Sequence, residues 1–296
     1  LLYFSFQLQN LMANTSLVFL NSDPLVDFPK PTSSRIIDIG GISVHNGHND
    51  LNKTWSDILN LRPKTVFLSF GTFVKAHLMP ETLKKNIRET FRKFPDVTFI
   101  WKYEKPEHNV AGGIPNIIET TWAPQHDLLQ DSRLSAFITH GGQGSITEAT
   151  VAGVPLIVIP VTADQFRNAA QVKRNRVGVR VRKSELARMG PLESAIRTIL
   201  EDSRFVRLNR MSYVCHHNKS SNVKVFVRYM EFLAKHGPLR RLDHYGAKLN
   251  TIQYYLLDIV GIFLLFVIVT LMFSIFAIRY VLRLLSRLII IKYKAE

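Results

Sequence analysis

The sequence predicts an α/β fold built on a parallel sheet, followed by one helix that crosses a membrane. Short apolar strands alternate with amphipathic helices between residues 65 and 213, and this alternation indicates βαβ crossovers that cover a parallel sheet on both faces. Near the end of the chain, the segment Ile259 to Ile278 contains no charged residue. A helix of that length spans about 30 Å, the thickness of a bilayer's hydrocarbon core.

Two short apolar runs precede the regular pattern, and each of them predicts a strand. They are Leu17 to Leu20 and Ile36 to Ile39, the second of which ends at a Gly-Gly turn. These elements are too few to close a domain. The chain also begins with leucine and shows no signal-peptide pattern, so we expect that the sequence lacks its amino-terminal part.

The strands of the main sheet are short apolar runs that end at glycine, proline or polar residues. They are predicted at Thr65 to Ser69, Thr98 to Trp101, Ile117 to Thr121, Ala136 to Thr139, Leu156 to Ile159 and Val177 to Val181. Apolar residues with helical spacing predict helices at Glu81 to Phe94, from near Ser145, and at Gln165 to Arg174, Pro191 to Leu200 and Phe205 to Tyr213. Ligands of such sheets bind at the carboxyl ends of the strands, so the loops found there are the candidate site.

The chain is strongly basic, with a formal net charge of +15 at pH 7. An excess of this size suggests nucleic acid, an anionic membrane surface or a phosphate-bearing substrate as partner. The basic residues are spread along the chain and are not interleaved with aromatic residues in one block, which argues against nucleic acid. The single cysteine, Cys215, excludes an intrachain disulfide.

The flanks of the apolar segment predict how it is placed in a membrane. A buried core helix is the alternative, but the segment is apolar on all sides and follows the end of the sheet pattern. Tyr254 and Tyr255 lie where an interfacial aromatic belt would be, and the residues after Ile278 are rich in Arg and Lys. The positive-inside rule therefore places the tail in the cytosol and the body on the opposite side. The basic residues also suggest contact with membrane lipid.

Short motifs in the sequence suggest the compartment. The ending Lys292-Tyr293-Lys294-Ala295-Glu296 resembles the cytosolic dilysine signal that returns membrane proteins to the endoplasmic reticulum. N-glycosylation acceptors at Asn14, Asn52 and Asn218 are compatible with a lumenal body. We therefore expect a single-pass protein of the endoplasmic reticulum membrane.

The loop from Thr139 to Ser145 is the first candidate ligand site, because it joins a strand to a helix through glycines. Such a turn brings backbone N–H groups close to a ligand, and the helix N-terminus favours an anion such as a diphosphate. The side chains of His140 and Ser145 would add donors. The alternative is a tight turn without a ligand, which a pair of glycines also serves.

Four further residues near the strand ends have both a functional and a structural interpretation. Trp122 offers a face for stacking a planar base, or it belongs to the core. Glu148 could accept hydrogen bonds from two ribose hydroxyls, or it is a solvated helical residue. Asp164 and Gln165 could bind sugar hydroxyls, or they begin the following helix as its N-cap.

Order and spacing together resemble a known family. The patterns W-x-P-Q, H-G-G-x-x-S-x-x-E and G-V-P-x-x-x-x-P-x-x-x-D-Q-x-x-N follow one another between Trp122 and Asn168. They are similar to the signature of the UDP-glycosyltransferases, and the membrane segment and basic tail resemble the animal membrane-bound UDP-glucuronosyltransferase type. This resemblance implies a GT-B fold, of which the chain would hold the Rossmann-like, carboxyl-terminal, donor-binding domain.

The resemblance also implies which residues bind the donor. Uridine would contact Trp122 and Gln125, ribose Glu148, the diphosphate His140 and Ser145, and the transferred sugar Asp164 and Gln165. The remaining members of the implied donor-binding set are Thr72, Lys102, Gly142 and Gly144. Relatives often carry asparagine where this chain has Gly144, and arginine where it has Lys102.

The implied reaction is an inverting transfer of a glucuronosyl or glucosyl group from a UDP-sugar to a small lipophilic acceptor. The general base would be a histidine of the missing amino-terminal domain, so we expect no catalytic residue in this chain. We also expect no metal and no cofactor, with UDP-sugar as co-substrate, and no sugar transfer by the chain alone. The alternative is a non-catalytic or split UDP-sugar-binding subunit that pairs with a separate acceptor domain.

Changes in composition predict the domain boundaries. Residues 1–41 would be a remnant of the acceptor domain and its linker, and 42–232 the donor domain. Residues 233–254 would connect it to a transmembrane helix at 255–278 and a basic cytosolic tail at 279–296. Assembly as a homo- or hetero-oligomer is left open by the sequence.

Overall fold

The structure is a computed structural model that describes residues 11, 14–44, 50–202, 205, 209–243 and 245–295. The chain divides into two compact units. Leu17–Gly237 forms the larger unit and contains both sheets, and the second unit combines Leu1–Ser16 with Pro238–Glu296. The domain boundaries expected from composition remain predictions.

The main sheet has six parallel strands, and its strand order confirms a doubly wound α/β architecture. The order is β5-β4-β3-β6-β7-β8, so the chain reverses direction across the sheet beside β3 and β6. All six predicted strands are confirmed to within two residues. They are β3 (Lys64–Ser69), β4 (Val97–Lys102), β5 (Ile117–Thr120), β6 (Leu134–Thr139), β7 (Leu156–Val158) and β8 (Gly178–Arg180).

Two short strands precede the main sheet and form a separate parallel pair. β1 (Val18–Leu20) pairs with β2 (Ile36–Asp38), so both early strand predictions are confirmed. Neither strand is fully buried.

The helices of the larger unit match the prediction in part. They are α1 (Lys53–Leu59), α2 (Glu81–Arg92), α3 (Gln125–Gln130), α4 (Gln143–Ala152), α5 (Gln165–Arg174), α6 (Pro191–Glu201) and α7 (Asn209–His236). α1 and α3 were not predicted, because seven and six residues are too few to show a helical period.

The last predicted helix of this unit is much longer than expected. Residues 206–208 of that prediction lie outside the described part of the chain, and the predicted end at Tyr213 is wrong, because α7 continues to His236. The polar run from His216 to Asn222 interrupts the apolar repeat that would have revealed this continuation.

α7 packs against two other parts of the larger unit. It contacts α4, and the Phe226 ring meets Phe19 of β1 edge to face at 4.8 Å between centroids. The Asn222 side chain donates to the Gly40 carbonyl at 3.0 Å. The small sheet is thereby attached to a helix that also touches the main domain.

Apolar side chains cover both faces of the main sheet and hold its strand ends in place. On one face, Phe99 and Trp101 of β4 pack with Phe91 of α2, whose ring stacks on Phe99 at 3.8 Å between centroids. On the other face, Phe67 and Phe137 stack at 5.1 Å. Each fully buried aromatic ring of this kind contributes roughly 2–3 kcal/mol of stability. The loops at the strand ends are therefore carried by a rigid frame.

The second unit consists mainly of one long helix. It contains α8 (Thr251–Tyr254) and α9 (Leu257–Ala295), and within α9 the segment Leu257–Leu285 is long and apolar enough to cross a membrane. Apolar side chains on all sides of this segment are exposed, so it is not a buried core helix within the described part of the chain. The helix runs without a break into the basic tail.

Candidate functional site

The candidate site lies at the carboxyl edge, a name used here for the loops after β3, β6 and β7 together with the turn before α3. Parallel strands place all of their carboxyl ends on the same side of the sheet. β3 and β6 are neighbours, and β7 follows β6, so these loops are adjacent in space. Most of the residues that the sequence proposed for donor binding lie here.

His140 packs closely against two glycines of the carboxyl edge. Its ring is buried, and a Cβ atom would lie 2.7 Å from the ring if built on either Gly71 or Gly142. Gly71 also has a φ of +79°, which favours glycine. The loop after β3 and the turn before α4 therefore both pack closely against Cε1 and Nε2 of the imidazole. The sequence did not single out Gly71.

Burial sets the protonation of His140. It lowers the pKa of the imidazole below its ordinary value, and the nearby Asp164 carboxylate opposes this shift without cancelling it. The ring is therefore neutral at neutral pH, with one nitrogen able to donate and the other able to accept.

A pH dependence of stability follows from this shift. The unfolded chain binds a proton at His140 near pH 6.5, whereas the folded chain binds it only at lower pH. The full stabilisation is present above pH 6.5 and is lost as the pH falls from there through the folded pKa.

Urea unfolding at pH 7.5 and at pH 5.5 tests this expectation. Between the two pH values, we expect the free energy of unfolding to fall more in wild type than in His140→Gln. The exposed His236→Gln serves as control and should behave as wild type; a pH response of His140→Gln equal to that of wild type would contradict the assignment.

The first turn of α4 presents backbone donors at the carboxyl edge. Gly142 is the N-cap residue, and within the described part of the chain no side chain caps this end of the helix. Gly141 has a φ of +89°, and a Cβ atom there would lie 2.6 Å from Val158. The space beside Gly144 is open, so the absence of a larger side chain at this position is not imposed by packing.

Gln125, Ser145 and Glu148 form one hydrogen-bonded cluster. The Gln125 amide nitrogen donates to a Glu148 carboxylate oxygen at 2.7 Å and lies 3.2 Å from the Ser145 hydroxyl oxygen. α3 supplies the glutamine as its first residue, and α4 supplies the other two one turn apart. Glu148 is therefore positioned by a neutral amide rather than freely solvated.

Asp164 and Gln165 have different environments although they are adjacent. The Gln165 side chain turns inward, and its carbonyl oxygen accepts from the backbone N–H groups of Val161 and Thr162 at 2.8 and 2.9 Å. Asp164 occupies the N-cap position of α5 but makes no side-chain capping bond there, and its side chain is exposed. It accepts instead from Asn168 at 2.9 Å.

Asn168 connects two loops of the carboxyl edge. It is buried, and its amide also donates to the Gly141 carbonyl at 3.0 Å. The sequence proposal did not include Asn168 among the binding residues, although it is the final position of the matched pattern. Its place in the motif could have identified it as a residue of the site.

The remaining proposed residues lie at the margin of this arrangement. Lys102 is half-buried and donates to the Gly71 carbonyl at 3.3 Å. Thr72 is exposed in the loop after β3. Trp122 is 65% exposed, so the alternative that it belongs to the core is wrong. Its ring face is accessible to a ligand.

A Rossmann-like parallel sheet with polar residues collected at its carboxyl edge is the form of one domain of a GT-B glycosyltransferase, and solved structures share this fold. A structure titled as the glycotransferase of kitacinnamycin matches with a TM-score of 0.54 and 22% identity, covering 71% of this chain and 54% of that one. A variant of Os79 from O. sativa in complex with UDP matches with a TM-score of 0.50 and 23% identity, covering 64% of this chain and 46% of the other.

The sequence comparisons identify the family. The family model described as "UDP-glucoronosyl and UDP-glucosyl transferase" matches residues 1–292, and the chain belongs to this family. UDP-glucuronosyltransferase 1A7 of Mus musculus is 30% identical over 90% of this chain and 49% of its own length. UDP-glucosyltransferase 2 of Dactylopius coccus is 28% identical over 93% and 52%. The resemblance found in the motifs is confirmed, and the chain spans about half the length of these relatives.

Proposed function

We propose that the carboxyl edge is the donor site of a UDP-glycosyltransferase that moves a glucuronosyl or glucosyl group to small lipophilic acceptors. The observation that carries this proposal is the cluster of Gln125, Ser145 and Glu148 beside the uncapped first turn of α4. It sets a carboxylate next to an anion-favouring helix end, and a nucleotide needs both: an acceptor for its ribose hydroxyls and donors for its phosphates.

Each part of the nucleotide-sugar has a complementary group at this edge. The exposed Trp122 ring would stack on the uracil, and Glu148 would accept from the ribose. The diphosphate would bind the N–H groups of the α4 turn with His140 and Ser145. Asp164 would accept from sugar hydroxyls, while the inward Gln165 holds the loop beside it. The UDP bound to the Os79 variant supports this assignment of the ligand.

The proposed chemistry is transfer with inversion at the anomeric carbon. The acceptor oxygen attacks this carbon from the face opposite UDP, and the C–O bond to the diphosphate breaks as the new bond forms. Negative charge grows on the leaving diphosphate, where the α4 N-terminus stabilises it. The proton of the acceptor hydroxyl passes to the base that the family resemblance assigns to an amino-terminal histidine. His140 does not serve this role, because it is buried among the phosphate-binding loops.

We also propose that α9 anchors the protein in the endoplasmic reticulum membrane with the larger unit lumenal. The basic residues after Ile278 and the dilysine-like ending support a cytosolic tail. The N-glycosylation acceptor Asn52 supports a lumenal body, because it is exposed. Its side-chain oxygen caps α1 by accepting from the Trp55 nitrogen at 3.1 Å. That bond leaves the amide nitrogen, the atom that carries an N-glycan, outside the cap.

Calorimetric titration of UDP into the full chain in lipid nanodiscs tests the donor site. Glu148→Ala should weaken UDP binding roughly tenfold, because a hydrogen bond to a charged group contributes about 1.5–3 kcal/mol, part of which water recovers. Glu89→Ala is the matched control, since Glu89 lies on the surface of α2 in an ion pair with Arg92. Equal affinity of wild type and Glu148→Ala for UDP would overturn the assignment.

A further inference from the structure

The loop after β3 is held at both of its ends by residues of β4 and of the segment that follows β4. At its start, the Lys102 ammonium donates to the Gly71 carbonyl at 3.3 Å. The loop ends in a single helical turn whose first two residues are Ala76 and His77. The Glu104 carboxylate accepts from the backbone N–H groups of both residues, each at 3.1 Å. Because β3 and β4 are paired strands, these contacts fasten the loop to the main sheet.

Glu104 binds this turn with both of its carboxylate oxygens. One oxygen accepts from the Ala76 N–H group, and the other accepts from the His77 N–H group and lies 3.2 Å from Nδ1 of the His77 ring. Burial raises the pKa of the Glu104 carboxyl, but hydrogen bonds from backbone N–H groups and from the His77 ring outweigh burial and hold the pKa below its ordinary value. The ammonium of the buried Lys84 donates to the His77 carbonyl at 3.0 Å. The end of the loop is therefore fixed by charge-assisted hydrogen bonds.

The segment between these two anchors is exposed. Thr72 and Phe73 face solvent, and Phe73 is 97% exposed. Exposed loops with few buried contacts open at a low cost in free energy, so the conformation of this segment depends on the bonds at its ends. Loss of the Glu104 bonds would therefore free the end of the loop while its start stays attached through Lys102.

The start of the same loop contacts the imidazole that we place at the diphosphate. A Cβ atom on Gly71 would lie 2.7 Å from Cε1 of His140, so the loop packs directly against the ring. The next residue is Thr72, which the family resemblance assigns to the donor-binding set. The position of the loop therefore decides how Thr72 and His140 are presented together to a bound diphosphate.

We propose that Glu104 is a positioning residue for the diphosphate, because it holds the loop after β3 in the place where Thr72 and His140 meet the phosphates. This inference rests on the proposed donor site. Glu104 acts through the loop, and a loop ordered in advance removes the entropic cost of ordering it when the ligand binds. The effect falls on the diphosphate and not on the nucleoside, which we assign to Trp122 and Glu148.

Titration of the full chain in lipid nanodiscs with UDP and with uridine tests the proposal, because the two ligands differ only in the diphosphate. Glu104→Gln replaces one accepting oxygen by an NH₂ group, which cannot accept a hydrogen bond from a backbone N–H group. We expect this variant to bind UDP about tenfold more weakly and to bind uridine as wild type does. Amide hydrogen exchange in residues 71–78 should also become faster, because the end of the loop opens more often.

Glu107→Gln is the matched control, since Glu107 lies on the same segment in an exposed ion pair with Lys105. It should bind both ligands as wild type does. Glu104→Asp keeps the charge but shortens the side chain, and it should weaken UDP binding about threefold with uridine unchanged, which covers the case in which the glutamine variant does not fold.

The results separate this inference from the donor site on which it rests. A wild-type chain that does not bind UDP would overturn the donor site itself. If wild type binds UDP and Glu104→Gln binds it equally well, or if UDP and uridine are weakened to the same degree, the positioning role of Glu104 is overturned while the donor site stands.

Discussion

Gly178→Ala is expected to destabilise the larger unit by about 3 kcal/mol, the largest effect on stability that we predict for a single methyl group. A Cβ atom on Gly178 would lie 2.1 Å from the backbone oxygen of Leu156 and 2.9 Å from its Cβ. The two residues face each other in the β7–β8 ladder, so neither backbone can withdraw without breaking strand pairing. Chemical unfolding of the full chain in detergent, followed by circular dichroism, measures the change.

Gly144→Ala is the matched control for this experiment. Apart from its chain neighbours and its own helix backbone, no heavy atom lies within 4 Å of a Cβ built on Gly144, the second residue of α4. Alanine there should stabilise the fold by about 0.5–1 kcal/mol, because it restricts the unfolded chain and favours the helix. A loss of stability in Gly178→Ala no larger than about 1 kcal/mol would contradict the tight strand contact.

Gly142→Ala is expected to weaken the affinity for UDP about a hundredfold and to lower the free energy of unfolding by about 2 kcal/mol. The new methyl group would lie 2.7 Å from Nε2 and 3.0 Å from Cε1 of His140. Gly71 also packs closely against Cε1 of the ring, so the imidazole cannot move toward the loop after β3. Gly142 has a φ of −61°, so the expected effect comes from the contact and not from backbone strain. Calorimetry with UDP and chemical unfolding measure the two quantities.

A double-mutant cycle isolates the contact between Gly142 and His140. When His140 is first replaced by alanine, the further change Gly142→Ala has no ring to displace and should cost little additional stability. If Gly142→Ala costs the same in both backgrounds, the imidazole is not what requires glycine at this position.

Much of the sheet was predictable because its signal is local. Runs such as Val66-Phe67-Leu68 are apolar, bounded by polar or turn residues, and too short for helices, so periodicity and length identify them. α1 and α3 were missed because one to two turns of helix give no repeat. Their stability comes from tertiary packing of residues such as Trp55 and Leu128, which local sequence does not show.

The site could be predicted as a set of residues but not as an arrangement. Gln125 lies 23 positions from Glu148, and their contact depends on α3, a helix that the sequence did not reveal. Similarly, the Gln165 side chain turns inward because it supplies the acceptor for the N–H groups of Val161 and Thr162 in the loop after β7. The motif does not encode the conformation of that loop. A pattern of residue types indicates which ligand is compatible, whereas packing decides which side chains are left to bind it.

The long helix α7 is a packing partner shared by the candidate site and the small sheet. It is unbroken over 28 residues and touches both α4 and the β1–β2 pair. α4 begins at the turn proposed to receive the diphosphate, so the helix that carries this turn and the early strands are supported by the same element. A substitution that unfolds α7 would therefore remove packing from both at once.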